Sequence, residues 1–119
     1  DIVASMEYAC GVAGSKLIVV LGHEGCGAVK AACDNVELGN ITSLLSNITP
    51  SVAAVKGGAD APHDSSNAAF VNAAIDENVN QTIDKIRSMS PMLKDLEDQG
   101  AIQIKGGVYK LATGQVEWL

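Results

Sequence analysis

The sequence predicts an α/β fold, a parallel β-sheet core flanked by helices. Three observations carry that expectation. Leu17-Ile18-Val19-Val20-Leu21 is a run of five apolar residues, β-branched at its centre, that stops at Gly22. Such a run reads as a strand of a buried parallel sheet. A helix-compatible run begins at Ala28, after one imidazole, one thiol and three glycines in residues 22–27. Farther along, Val71, Ile75, Val79, Ile83 and Ile86 recur at helical spacing, and Ile102 and Ile104 then alternate with polar residues. Helix and strand signals therefore follow one another along one chain.

Each element has a local reason. Residues 2–13 carry an apolar stripe of Ile2, Met6, Ala9 and Val12-Ala13, and Gly14 is a C-terminal stop. Helix, turn and strand 17–21 make the second half of a βαβ unit whose first strand is not in this sequence. A helix over 27–33 ends near Asp34-Asn35. Ile41, Leu44, Leu45 and Ile48 mark a short amphipathic helix over 41–48. Thr49-Pro50 reads as an N-cap and first helical residue, with the helix closed by Gly57-Gly58. Residues 57–66 are loop by composition, and His63 reads there as an exposed loop histidine. The long helix spans about 67–89, with Asp76, Glu77, Asp84 and Lys85 as its solvated face. Ser90-Pro91 repeats the cap-and-proline start, Met92, Leu93 and Leu96 give an apolar face, and Gly100 ends that helix. A strand follows to about Lys105, Gly106-Gly107 interrupts it, and Val108 to Leu111 continues extended. Thr113-Gly114 is a turn signal, and Val116 to Leu119 reads as an edge strand.

The 119 residues suffice for a single domain over 1–119. Apolar residues make up 47% and aromatic ones 3%, so the core is aliphatic. Eight basic against fourteen acidic residues give a net charge of −6 with no basic stripe, which argues against nucleic acid as a partner. No apolar run reaches membrane-spanning length, and no signal peptide is visible. Three cysteines, Cys10, Cys26 and Cys33, are an odd number with no disulfide spacing. They fit a reducing compartment or a thiol committed to metal. A cytoplasmic location is favoured, with a periplasmic one open if a signal preceded Asp1.

The chemistry concentrates in Gly22-His23-Glu24-Gly25-Cys26-Gly27. In open parallel sheets, function collects where strands end and helices begin. His-x-x-Cys offers one imidazole nitrogen and one thiolate, and zinc takes both, at about 2.0–2.1 Å and about 2.3 Å. Cys26 stands near a helix N-terminus, where backbone N–H groups favour a thiolate. The glycines allow a tight turn and leave space for a small ligand. A lone His-x-x-Cys is weak, and other readings stay open: an anion site at the helix N-terminus, or Cys26 as nucleophile with His23 as base. The glycine order is wrong for the dinucleotide fingerprint. Among further ligands, Cys33 lies about two helical turns beyond Cys26, Cys10 reads as core, and Glu24 and Asp34 as solvated.

Ala4-Ser5-Met6-Glu7-Tyr8-Ala9, Leu17 to Leu21 and Gly22 to Val29 together resemble the β-class carbonic anhydrases. The similarity continues through Ile48-Thr49-Pro50, Asn78-Val79, Ser90-Pro91-Met92-Leu93 and Gly107-Val108-Tyr109-Lys110-Leu111-Ala112-Thr113-Gly114. The resemblance implies a β-carbonic anhydrase-like α/β fold, incomplete at the N-terminus. It implies a Zn2+ enzyme that reversibly hydrates carbon dioxide to bicarbonate by zinc-bound hydroxide. His23 and Cys26 match the family's second and third zinc ligands. Gly27 matches a residue lining the substrate space. Tyr109 matches a position near a regulatory bicarbonate site in some members, although a packed strand tyrosine is the simpler reading. A homodimer or higher homo-oligomer is implied, or association with a separate N-terminal fragment. The family's first zinc ligand belongs to a Cys-x-Asp-x-Arg motif that this sequence lacks, together with its Asp/Arg pair, so no catalytic residue is assigned. The alternative is therefore a truncated, non-catalytic module of the same fold. Hydrolysis of carbon disulfide or carbonyl sulfide, found in relatives, is not excluded.

Overall fold

The computed structural model describes residues 1–119. In chain order the elements are α1 (Ile2–Gly11), β1 (Leu17–His23), α2 (Gly27–Cys33), α3 (Gly39–Leu45), α4 (Thr49–Lys56), α5 (Ala68–Met89), α6 (Pro91–Asp98), β2 (Gln103–Lys110) and β3 (Gln115–Trp118). The sheet order is β1-β2-β3. β1 and β2 run parallel, with Ile18 opposite Ile104 and His23 opposite Tyr109. β3 returns antiparallel along β2, with Tyr109 opposite Val116. The parallel pair is thus extended by an antiparallel edge strand, as the turn at Thr113-Gly114 allows.

α5 is the element against which the others pack. Its face of Phe70, Val71, Ala74, Ile75, Val79, Ile83 and Ile86 is buried, and it meets both parallel strands as well as α2, α4 and α6. Asn67 caps it, its side-chain oxygen accepting from the Phe70 N–H at 3.3 Å. Two strand glycines let the helix approach closely. A Cβ on Gly106 would lie 2.7 Å from Val79 Cγ1 and 2.8 Å from Ile83 Cδ1; one on Gly22 would lie 2.9 Å from Val79 Cγ2. Gly106-Gly107 therefore does not interrupt the strand, which is continuous from Gln103 to Lys110. Gly107 serves the opposite face, where a Cβ would lie 2.8 Å from Val116 Cγ1.

Pairing alternation divides the sheet. Ile18, Val20, Gly22, Ile104, Gly106 and Val108 face α5. Leu17, Val19, Leu21, His23 and Tyr109 face the other way and are exposed, as is Trp118.

Local starts and stops differ from expectation in a few places. Ser90 caps α6, its hydroxyl oxygen accepting from the Leu93 N–H at 3.2 Å. Thr49 is not a cap: the first helical residue of α4 is Thr49 itself and Ile48 is the N-cap. α3 begins at Gly39, earlier than its apolar pattern, because the Leu38 N–H donates to Thr42 Oγ1 at 2.8 Å. No helix is long and apolar enough to cross a membrane.

Candidate metal centre

β1 delivers His23 at its C-terminal end. The Glu24 N–H donates to the Tyr109 carbonyl at 3.0 Å, so the ladder with β2 continues one residue past His23 and fixes its backbone. The imidazole is exposed, and its Nδ1 lies 2.9 Å from the Glu24 carbonyl oxygen. A carbonyl can only accept, so Nδ1 carries the proton and the Nε2 lone pair is left for another partner. Metal-binding histidines are commonly oriented in this manner.

Gly25 makes the turn at φ +67°, in the left-handed region where a side chain is strained. Cys26 follows as N-cap of α2, extended at φ −61° and ψ 114°, with no side-chain cap hydrogen bond. It is half-buried against the core cluster, and the Lys30 N–H donates to its carbonyl at 3.0 Å. Only Glu24 and Gly25 separate the two donor residues, at the mouth of the parallel strands. A Cβ on Gly27 would meet nothing within 4 Å, so the space beside it is open.

One soft sulfur and one imidazole nitrogen suit zinc. They are two donors, and no three His, Cys, Asp or Glu side chains gather into a metal-holding group. The other cysteines are committed elsewhere. Cys10 packs against the core from α1. Cys33 is 2% exposed, and burial, with smaller contributions from Asp34 and Asp64, pushes its thiol pKa up. Asp34 is also occupied. Its carboxylate accepts from the Ser65 N–H at 2.8 Å and the Ser65 hydroxyl at 2.6 Å, the hydroxyl first and the N–H second lowering its pKa.

Three polar residues occupy places that composition does not foretell. His63 is not an exposed loop residue: it is half-buried, with Nε2 2.8 Å from the Ala59 carbonyl oxygen and its ring 5.3 Å from that of Phe70. Asp76, expected on the solvated face of the long helix, is half-buried near the end of β2. Burial raises its pKa, Lys110 opposes that, and Glu117 adds to it. Tyr109 is not packed in the core: it is 37% exposed and sits opposite His23 across the parallel pair. A His-x-x-Cys motif names no cross-strand neighbour, so only the β1–β2 register could reveal that juxtaposition.

The family model for carbonic anhydrase matches residues 1–116. The chain belongs to the carbonic anhydrase family. A carbonic anhydrase of Mycolicibacterium smegmatis is 31% identical over 121 residues, a match covering 98% of this chain and 55% of that protein. One from Pseudomonas aeruginosa is 31% identical over 116 residues, covering 98% and 52%. The chain thus spans about half the length of these curated relatives. Among solved structures, a tetrameric β-carbonic anhydrase from the filamentous ascomycete Sordaria macrospora superposes with a TM-score of 0.85 at 23% identity, over all of this chain and 60% of that one. The Coccomyxa β-carbonic anhydrase in complex with acetazolamide gives 0.80 at 22% identity, over 98% and 52%. The fold of this carbonic anhydrase family member is that of the β-class structures.

Proposed function

We propose that this chain carries part of a zinc-dependent carbonic anhydrase centre, with His23 Nε2 and Cys26 Sγ as two of the metal's protein ligands. The observation behind this reading is the His23 ring, proton on Nδ1 toward the Glu24 carbonyl and Nε2 unengaged, beside a cysteine free of cap hydrogen bonds. A catalytic zinc ordinarily takes three protein ligands, so turnover calls for a third from outside residues 1–119. The resemblance assigns that ligand to the Cys-x-Asp-x-Arg motif. When bound, zinc lowers the pKa of water toward about 7, which is the chemistry that hydration of carbon dioxide requires.

This chain's residues have narrower tasks. The Glu24 carbonyl holds the imidazole's tautomer and orientation. Gly25 turns the backbone so that Cys26 follows His23 closely. The absence of a side chain at Gly27 leaves room for a molecule as small as carbon dioxide or bicarbonate.

Cobalt substitution tests the ligand assignment without requiring turnover. A thiolate-to-cobalt absorption band is expected for the chain, absent in Cys26→Ser and weakened or shifted in His23→Ala. An unchanged band in both variants overturns the assignment. Stopped-flow hydration with zinc supplied tests the activity. Metal binding without hydration would identify the non-catalytic module.

A further inference from the structure

Gly25 forms the turn between His23 and Cys26, and glycine alone does not fix its own conformation. It stands at φ +67°, and a glycine visits negative φ about as readily. A flip there would swing Cys26 away from His23. The flanks of the turn are tied: the Glu24 N–H donates to the Tyr109 carbonyl and the Lys30 N–H to the Cys26 carbonyl, each at 3.0 Å. Gly25 itself makes no backbone hydrogen bond. It has one packing neighbour. A Cβ built on Gly25 would lie 3.7 Å from Leu111 Cδ1, and no other atom beyond its chain neighbours comes within 4 Å of that point. Leu111 therefore stands over the face of the turn from which a side chain would project. Its own position is braced. It follows Lys110, the last residue of β2, whose carbonyl accepts from the Thr113 N–H at 3.3 Å and the Gly114 N–H at 2.8 Å. Lys110 Nζ also lies 3.5 Å from Glu117 Oε2 across the hairpin.

We propose that Leu111 is a positioning residue for the metal centre: its methyl group bears on Gly25 and holds the left-handed turn that keeps His23 Nε2 and Cys26 Sγ within reach of one ion. This rests on the reading of those two residues as ligands. Leu111 has little other task. It is 61% exposed and lies outside the core cluster, so burial does not account for its place. The turn needs such a contact because ordering a mobile segment on binding costs conformational entropy, and a segment held beforehand avoids that cost. The Tyr109 carbonyl and the Leu111 side chain leave the same strand end, two residues apart. One hairpin tip thus restrains the turn twice, at Glu24 by a hydrogen bond and at Gly25 by packing. Groups that orient ligands without touching the metal commonly change its affinity about 10- to 100-fold, and a single van der Waals contact belongs at the lower end of that range.

Cobalt titration, urea unfolding and amide NMR relaxation of the 119-residue chain, with Leu111→Ala, Leu111→Met and Cys26→Ser, test it. Leu111→Ala should bind cobalt about tenfold more weakly. At saturation it should show the parent's thiolate band, because both ligands remain. Its urea midpoint should match the parent's, since an exposed side chain was removed. In the metal-free chain the Gly25 order parameter should fall in Leu111→Ala. Leu111→Met should restore both affinity and order. An unchanged Gly25 order parameter overturns the inference. Where the parent's band depends on Cys26, so does a Leu111→Ala affinity equal to the parent's, a weakening that tracks a lowered urea midpoint, or one that Leu111→Met does not relieve. A parent chain that binds no cobalt, or binds it no better than Cys26→Ser, overturns the ligand reading instead. The metal-free order parameter of Gly25 then still decides whether Leu111 holds the turn.

Discussion

Glycines carry much of the specificity at the scale of single residues, for different reasons. Gly25 is required by its backbone angle, whereas Gly22 and Gly106 are required by the helix above them. A methyl group at Gly106 would press on Val79 and Ile83 at contacts of 2.7 and 2.8 Å. Gly106→Ala should therefore destabilise the fold by about 1–3 kcal/mol, the usual cost of overpacking, read as a lower urea midpoint with the slope unchanged. Gly27→Ala meets nothing within 4 Å and should leave that midpoint nearly unmoved, so the pair separates a packing glycine from an open one. The sequence shows all of these glycines but not which is which. Gly106-Gly107 looks like a break because propensity discourages glycine in strands; the reason for keeping both lies in Val79 and Ile83 on one side and Val116 on the other. His23 and Cys26 were legible because a motif places them in one turn. The placement of Tyr109 opposite His23 was not, since the two are 86 positions apart in sequence and are brought together only through register.

At the scale of elements, the long helix was readable because its apolar stripe is long and regular, and its Asn67 cap and the Ser90-Pro91 start of the next helix carry familiar local chemistry. The starts of the helices at 39–56 were harder to read, because α3 opens with the Leu38 N–H on Thr42 Oγ1 and α4 opens behind Ile48 with no side-chain cap. The α5–α6 corner is fastened twice. Ser90 caps α6, and Ser90→Ala should cost about 1 kcal/mol. Arg87 grips Glu97 with both forks, Nε to Oε1 at 2.8 Å and Nη2 to Oε2 at 2.9 Å. The hydrogen bond from Arg87 is the main reason that the Glu97 pKa is lowered, and Glu97 in turn raises that of Arg87. The sign of the pH effect follows. A depressed carboxylate stabilises the fold fully above its unfolded-state range and loses that contribution as pH falls through the lower folded value. Glu97→Gln should therefore cost about 1 kcal/mol at neutral pH. Urea titrations across pH 7 to 3 should show the difference between parent and variant shrinking only in the acidic limb.

At the scale of the whole molecule, the sheet is asymmetric. Parallel strands are ordinarily covered on both faces, yet here α5 covers one face, and Leu17, Val19, Leu21, Tyr109 and Trp118 stand exposed on the other. The sequence could not show this, since an apolar run of the kind at 17–21 reads as buried on both sides, and burial on one side depends on where every other element lies. The curated relatives are about twice as long as this chain. The bare face makes an optical prediction. Trp118 is the only tryptophan, 59% exposed on that face and on β3, the outer strand next to β2. Its emission should be red-shifted and readily quenched by acrylamide in the folded chain, because the indole meets water on the side away from α5. A blue-shifted emission protected from quencher in the folded chain would show instead that the face is covered.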